Sequence, residues 1–254
     1  MATYPELKNR VVLITGGAQG IGLSTAEEFA KQGALVAVLD IDLVGAQKVA
    51  DSINQTGQRA IAIKTDVTSE ASVISSLKSV NDIFNGIDIV INSAGGYGKL
   101  TSVEEMPVDE WDRTVALNMR GTFLVCKHAI GYLKKSKAGR IINVSSISGR
   151  TLFGSTSPAY ASSKAATIQL TRFLAVELGP FGITANSIAP ITTLTPRVKA
   201  LRTAANIEQI ASQIPLRRLP EPIEHSNAML FLASDNASYL NGIAMDINGG
   251  RVLM

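Results

Sequence analysis

A glycine-rich stretch, residues 15–22, lies between a short apolar run and an amphipathic helical pattern. The apolar run, residues 11–14, is too short for a buried helix and has the length of a buried parallel strand. Gly16, Gly20 and Gly22 permit a tight turn and a close backbone approach, and the start of the following helix offers unpaired N–H groups. A strand, a glycine turn and a helix start, in this order, predict a phosphate-binding site.

The next strand pattern, residues 35–39, ends in Asp40. The glycine spacing differs from the common G-x-G-x-x-G pattern, and glycines alone could serve only a turn. An acidic residue at the tip of the second strand is placed to accept hydrogen bonds from adenosine ribose hydroxyls, and it would repel a 2′-phosphate. Together the two features predict a dinucleotide site that favours NAD.

Composition narrows the class of protein further. The 254 residues are 46% hydrophobic, enough for a large core, and the formal net charge of +3 gives no case for a nucleic-acid surface. No secretory signal or membrane-spanning run is visible, and Cys126 reads as a packing residue in an apolar helix. His128 and His225 are far apart, which argues against a metal site. We therefore expect a cytoplasmic, single-domain protein over residues 1–254.

Strand and helix patterns alternate along the whole chain, which predicts an α/β doubly wound parallel sheet of about seven strands with helices on both faces. A capping residue is expected at Thr68 or Ser69. Residues 191–219 read as an irregular cationic lid. The predicted strands are residues 11–14, 35–39, 60–63, 87–91, 140–144, 183–188 and 242–247. The later helices are predicted at residues 43–55, 69–84, 107–136, 159–178 and 221–233.

Polar or special residues follow nearly every predicted strand: Asp40, Asp66, residues 92–95, Ser145–Ser146 and Pro190. Each alone fits ordinary loop chemistry, but ligands bind at the carboxyl ends of parallel strands, so the recurrence predicts one shared site.

Tyr160 and Lys164 stand four residues apart on one predicted helix face. A nearby ammonium favours the phenolate, so we expect it to lower the tyrosine pKa and make Tyr160 a proton donor and acceptor. The same spacing is common on exposed helices. Ser146 offers a hydroxyl for a substrate oxygen, and Asn118 stands mid-helix, where its amide needs partners.

These motifs resemble the short-chain dehydrogenase/reductase family over nearly the whole chain. The resemblance implies hydride transfer between nicotinamide and a substrate carbon. By the same resemblance Tyr160 is the acid/base, Ser146 orients the substrate oxygen, Lys164 binds the nicotinamide ribose and tunes Tyr160, and Asn118 holds a proton-relay water. The implied cofactor-binding residues are Gly16, Gln19, Gly20, Ile21, Gly22, Asp40, Asp66, Val67, Asn92, Ala94, Gly95, Tyr160, Lys164, Pro190 and Thr195.

One departure from the family is Ile191, which follows Pro190 where glycine is usual. A β-branched residue does not comfortably take a positive φ, so the turn either needs none or is rebuilt. Substrate contacts are expected from residues 96–101, 147–158 and 191–215. The lid charges, Arg197, Lys199, Arg202, Arg217 and Arg218 against Glu208, suggest an anionic substrate or merely a solvated helix face.

Three functions remain open on sequence grounds. The first is an NAD-dependent dehydrogenase or reductase for a small secondary alcohol or ketone of the polyol, sugar or hydroxy-acid type. The second is an NADPH-dependent 3-oxoacyl carrier-protein reductase, against which Asp40 counts. The third is a non-catalytic nucleotide-binding regulator. The family resemblance also implies a homotetramer.

Overall fold

Seven parallel strands form one sheet in the computed structural model, which describes residues 2–98, 100–152 and 156–253. Their order across the sheet is β3-β2-β1-β4-β5-β6-β7, and every neighbouring pair is parallel. The strands are β1 Val11–Thr15, β2 Leu35–Asp40, β3 Arg59–Lys64, β4 Ile89–Asn92, β5 Arg140–Val144, β6 Thr184–Pro190 and β7 Ala244–Ile247. The predicted doubly wound sheet of seven strands is confirmed.

Helices cover both faces of this sheet. They are α1 Gly20–Lys31, α2 Leu43–Gln55, α3 Glu70–Phe84, α4 Val108–Val115, α5 Gly121–Leu133, α6 Pro158–Leu178, α7 Pro196–Leu201, α8 Ala204–Ser212 and α9 Pro222–Ala233. The predicted cap at Ser69 is confirmed, since its side chain accepts a hydrogen bond from the backbone N–H of Ser72. In the described part of the chain, no helix has the length and hydropathy needed to cross a bilayer.

Strand β1 is apolar from Val11 to Ile14 because both of its faces are buried. In β1, Val12 and Ile14 pack into the core on one face, with α1, α2 and α9. Val11 and Leu13 pack into the core on the other face, with α3, α5 and α6. The unbroken apolar run of β1 is therefore the sequence signature of a strand between two helical layers.

The strand order reverses between β1 and β4, so a crevice opens at their carboxyl ends. The two ends are tied together by Thr15, whose Oγ1 accepts hydrogen bonds from the backbone N–H groups of Ser93 and Ala94, both at 3.2 Å. This contact brings the glycine turn after β1 against the loop after β4, which is where the predicted site residues gather.

The predicted helix over residues 107–136 is interrupted. A turn of π-helix, Ala116–Arg120, separates α4 from α5, and Asn118 lies inside it. Sequence periodicity did not indicate this turn, because inserting one residue leaves the surrounding pattern helical.

The expectation that residues 192–219 are irregular is wrong, since α7 and α8 form within them. The local reason is capping. The Thr195 side chain accepts a hydrogen bond from the N–H of Val198, and the Thr203 side chain accepts one from the N–H of Asn206. Two threonines therefore start the two short helices.

Ile191 takes no positive φ, which answers the question raised by the missing glycine. Its side chain is buried in a small apolar cluster with Ile147, Ile214 and Leu219. The turn after β6 is thus built without left-handed backbone, and the isoleucine anchors the base of the lid instead.

Candidate active site

A cavity of about 760 Å³ lies at the carboxyl ends of the strands. It reaches from the glycine turn, past the ends of β2 and β3, to α6 and the lid. Most of the predicted cofactor-binding residues line it: Gly16, Gln19, Gly20, Ile21, Gly22, Asp40, Asp66, Val67, Ala94, Gly95, Tyr160, Lys164, Pro190 and Thr195. The structure thus brings together in one place residues that are far apart in the sequence.

The glycine turn has the shape that a phosphate cradle requires. Gly16 and Gly20 have φ values of +67° and +58°, which favour glycine. A Cβ on Gly22 would stand 2.1 Å from the carbonyl oxygen of Gly16, so only glycine lets α1 start this close to β1. Helix α1 begins at Gly20 without a side-chain cap, which leaves its first N–H groups free for an anion.

Asp40 is held rigidly beside this turn. One carboxylate oxygen accepts a hydrogen bond from the N–H of Ala18 at 3.0 Å, and the other accepts one from the N–H of Asp42 at 3.0 Å. Asp66 accepts hydrogen bonds from both the N–H and the hydroxyl of Thr68, and it lines the same end of the cavity. This donor and acceptor set fits an adenine dinucleotide, with the ribose at Asp40 and the pyrophosphate at the start of α1.

Asn92 does not line this cavity, although the resemblance assigned it to the cofactor. Its side chain is buried under the sheet ends, where the amide nitrogen contacts Asn143 Oδ1 at 2.8 Å and Cys126 Sγ at 3.2 Å. Burial raises the pKa of the Cys126 thiol to about 12, which fits its predicted role in packing. Asn92 therefore contributes to the support of β4 rather than to the cavity wall.

Ser146, Tyr160 and Lys164 all line the cavity on the side away from Asp40. Gly149 makes this convergence possible, because a Cβ there would lie 2.5 Å from the backbone carbon of Lys164. The loop carrying Ser146 can therefore lie directly on α6. Ser146 Oγ accepts the N–H of Ser148 at 3.1 Å, which leaves its own hydrogen free to donate. The hydroxyl of the neighbouring Ser145 instead donates a hydrogen bond to the backbone carbonyl of Lys164.

The expectation that Lys164 lowers the pKa of Tyr160 is wrong for this structure. Burial raises the pKa of Tyr160 to about 12, while the nearby Ser146 hydroxyl acts in the opposite direction. The Nζ of Lys164 lies 5.7 Å from the tyrosine ring centre and donates to the carbonyl of Val144 at 2.7 Å. Burial also lowers the pKa of Lys164, to about 8. Desolvation is thus the largest influence on the pKa of both groups.

Asn118 is buried one layer behind the cavity wall. Its Nδ2 donates to the carbonyls of Gly96, at 2.7 Å, and Thr114, at 2.9 Å, and its Oδ1 accepts the N–H of Gly96 at 3.0 Å. A Cβ on Gly95 would meet both Asn118 Oδ1 and Lys164 Nζ, at 2.7 and 3.1 Å. The asparagine therefore fixes the Gly95–Gly96 backbone against Lys164, and the π turn is what aims it there.

The remaining wall of the cavity comes from the three segments predicted to contact substrate. Tyr97 was not singled out in the sequence, where it is only an aromatic in a glycine-rich loop. Its ring stacks edge-on against Tyr160, with ring centres 5.2 Å apart. The other lining residues of these segments are Gly96, Leu100, Ile147, Ser148, Thr156, Ile191, Thr192, Thr193, Pro196, Arg197, Val198, Arg202, Gln209, Ile210 and Gln213. Residues 153–155, also predicted to contact substrate, lie outside the described residues.

Metal ligands do not gather at this site. Among the described residues, no group of three or more His, Cys, Asp and Glu side chains is placed to hold an ion.

Comparisons with known proteins give the same family as the sequence motifs. The family model described as "Enoyl-(Acyl carrier protein) reductase" matches residues 16–251. A solved short-chain type dehydrogenase/reductase from Mycobacterium marinum is 34% identical, with a TM-score of 0.91 over 98% of this chain and 97% of that one. The chain belongs to the short-chain dehydrogenase/reductase family.

Two further relatives bear on the chemistry. One is the BbsD subunit of a (2S)-((R)-hydroxy(phenyl)methyl)succinyl-CoA dehydrogenase from Thauera aromatica, 36% identical over 97% of this chain and 98% of that protein. The other is the structure of a 3-oxoacyl-(acyl-carrier protein) reductase from Brucella melitensis with bound NAD. It is 33% identical, with a TM-score of 0.89 over 98% of this chain and 94% of that one. These relatives support an oxidoreductase that uses a nicotinamide cofactor.

Proposed function

We propose that this protein is an NAD-dependent oxidoreductase that transfers a hydride between nicotinamide and the carbon of a small secondary alcohol or ketone. One observation carries the proposal: Ser146, Tyr160 and Lys164 line the same cavity as the glycine turn and Asp40. A proton donor therefore faces the cavity into which the nicotinamide end of a dinucleotide would extend.

When bound, the cofactor supplies or accepts the hydride. In ketone reduction, Tyr160 donates its phenolic proton to the carbonyl oxygen while the Ser146 hydroxyl donates a hydrogen bond to the same atom. In alcohol oxidation, the same tyrosine oxygen accepts the proton. Lys164 is mostly protonated at neutral pH, because its pKa of about 8 lies above neutrality. Its ammonium, 5.7 Å from the tyrosine ring centre, would attract the phenolate once the proton has left, although burial keeps the pKa of Tyr160 raised.

Asn118 supports this chemistry from behind the wall, where it holds Gly95 and Gly96 in place. The proton-relay water that the family resemblance implies for Asn118 stays a prediction. Because oxidation needs the ionised tyrosine, we expect the rate of alcohol oxidation to rise with pH.

Asp40 supports the choice of NAD over NADP. Its carboxylate is fixed by two backbone N–H groups and stands where a 2′-phosphate would meet a like charge. The cavity wall near Asp40 offers no arginine or lysine among the described residues to compensate, since its lining cations are Lys164, Arg197 and Arg202.

A panel assay tests the proposal. Secondary alcohols are supplied with NAD, and ketones with NADH, and the absorbance of the reduced nicotinamide is followed. The panel spans polyols, sugars and hydroxy acids with their oxidised partners. We expect turnover with at least one pair. The absence of turnover across the panel, in a protein that still binds NADH, would instead favour the non-catalytic regulator.

A 3-oxoacyl carrier-protein reductase is the second candidate, favoured by the named activity of the Brucella melitensis structure. It predicts reduction of a 3-oxoacyl thioester, and the version using NADPH conflicts with the charge at Asp40. Assaying acetoacetyl thioesters with both cofactors separates the two candidates.

We also propose a cytoplasmic homotetramer built through α4–α6 and through α9 with β7. Large apolar side chains are exposed on the helices: Phe123 on α5 is 43% exposed, and Phe173 and Val176 on α6 are 68% and 81% exposed. Ala165, also on α6, is exposed and allows close helix approach. We expect light scattering to give a mass several times that of the chain. A species of only 26.9 kDa at micromolar concentration would contradict this.

A further inference from the structure

The two ends of the cavity carry opposite charge. Its lining carboxylates, Asp40 and Asp66, both lie at the end that fits adenosine. At the other end, beyond Tyr160, the lid contributes the guanidinium groups of Arg197 and Arg202. In the described part of the wall, no carboxylate accompanies these two arginines.

Only these two of the five lid cations face the cavity. Arg218 is paired with Glu224, through two contacts of 2.6 Å, and Arg217 donates to the carbonyl of Ser212. Lys199 is exposed and does not line the cavity. Of the positive charges on the lid, therefore, Arg197 and Arg202 are the two that can act on a ligand inside the cavity.

Arg197 is placed close to the reacting centre. Its Nη2 lies 3.5 Å from the carbonyl oxygen of Tyr97, whose ring stacks on Tyr160. A side recess also borders Arg197, and its lining carboxylate among the described residues, Glu110, is engaged by Arg113 at 2.7 Å. The Arg197 guanidinium thus contacts the residue that stacks on Tyr160, and it makes no ion pair within the described residues.

Arg202 follows the end of α7 and is half-buried. No ion pair or hydrogen bond of its side chain is found within residues 2–98, 100–152 and 156–253. Arg197 is exposed, whereas the Arg202 guanidinium is partly desolvated. Guanidinium groups without a carboxylate partner favour an oxyanion, which they hold through paired N–H donors.

We propose that Arg197 and Arg202 form a subsite for an oxyanion carried by the substrate, so that the preferred substrates are oxo acids and the corresponding hydroxy acids. The proposal rests on the proposed function and specifies its substrate class. The carboxylate is held by the lid, while the ketone oxygen lies between Ser146 and Tyr160. Leu100, Ile147 and Ile191 supply apolar wall in the same cavity, which suits a short hydrocarbon spacer between the carboxylate and the ketone.

A series of oxo acids of increasing spacer length, each paired with its methyl ester, tests the subsite in the presence of NADH. The ester keeps the ketone and nearly the same shape but removes the charge. We expect the native enzyme to prefer the acid at one spacer length. The double variant Arg197→Gln and Arg202→Gln should raise KM for that acid roughly tenfold to a hundredfold and change KM for the ester little.

Lys199→Gln is the matched control, since it removes one charge from the same lid helix without touching the cavity. It should leave KM for the acid nearly unchanged. An equal loss in this control would mean general charge attraction and would overturn the subsite. A rise in KM for NADH in the double variant, equal with acid and ester, would assign the arginines to the cofactor pyrophosphate and would overturn it too.

A binding measurement separates failure of the subsite from failure of the proposed function. Calorimetry compares pentanoate with pentanamide, neither of which has a ketone, on the protein with NADH. If no ketone is reduced but pentanoate binds more tightly than the amide, and the double variant abolishes the difference, the subsite stands and the reaction is wrong. If both ligands bind alike, the subsite is wrong whatever the assay shows.

Discussion

The two ends of the cavity are built in different ways. The adenosine end is made by strand tips and the glycine turn, where backbone N–H groups hold Asp40 and a missing Cβ at Gly22 sets the spacing. The substrate end is made by loops and by the short helices α7 and α8, where side chains such as Tyr97 and Arg197 form the wall. One end is shaped by main chain, and the other by side chains.

The strand tips at the adenosine end are fixed by the fold, whereas the lid at the other end can differ from one protein of this fold to another. Strand tips belong to the sheet and cannot move without disturbing both cores. The lid is held at its base by the Ile191 cluster and by a buried hydrogen bond between Thr193 and His225. Sequence changes in the lid can therefore alter specificity while the cofactor end stays as it is.

The largest expected effect lies where the two ends meet, at Tyr160. Tyr160→Phe keeps the ring that stacks on Tyr97 and removes only the proton donor. We expect kcat to fall roughly a hundredfold to ten-thousandfold, with NADH affinity nearly unchanged. Steady-state kinetics and a fluorescence titration of NADH measure the two quantities. Near-native turnover would show that another group transfers the proton.

The next effect concerns the base of the lid and depends on pH. His225 is fully buried, its Nε2 lies 2.8 Å from Thr193 Oγ1, and burial lowers its pKa from 6.5 to about 4. Between these values the unfolded chain binds a proton that the folded chain does not. The contribution of His225 to the free energy of unfolding should therefore be fully present above pH 6.5 and fall by roughly 3 kcal/mol as pH drops towards 4.

His225→Gln is the control for this prediction. Denaturant titrations at several pH values should show a flatter profile between pH 6.5 and 4.5 for the variant than for the native protein. The neighbouring Glu224 does not change the free energy of unfolding between pH 6.5 and 4.5. Its hydrogen bond with Arg218 lowers the pKa of its carboxyl from 4.5 to about 2, so its contribution to stability is lost only below pH 4.5. Identical profiles in this window would contradict burial of a neutral histidine.

The smallest effect is expected at the adenosine end, in the choice of cofactor. Asp40→Ala removes the carboxylate that repels a 2′-phosphate, and we expect the preference for NAD over NADP to shrink about tenfold. The ratio of kcat/KM for the two cofactors measures it. Asp40→Asn removes the charge but retains an oxygen that can accept the N–H of Ala18. This variant therefore tests the charge of Asp40 separately from its hydrogen bond to the glycine turn. Equal efficiency with both cofactors in the native enzyme would refute the role of Asp40.

The comparison also explains how far the sequence could predict the molecule. The sheet, the glycine turn and the polar residues at the strand tips followed from local signals, because each strand tip and glycine is read from its immediate neighbours. The stacking of Tyr97 on Tyr160 could not be predicted, since it joins two loops with no periodic signal. The pKa of Tyr160 was misjudged for a similar reason: helix spacing shows that Lys164 is near, but burial is a property of the whole packed cavity.

The π turn at Ala116–Arg120 has a consequence for how this chain can change over time. Such a turn is what a one-residue insertion leaves inside an otherwise regular helix. Deleting one residue there would rotate everything before it by about 100° relative to α5 and swing Asn118 away from Gly96. A chain that lost this residue would therefore lose the contacts that hold Gly96 in the cavity wall, so the length of this helix matters to the site as much as the side chains that line it.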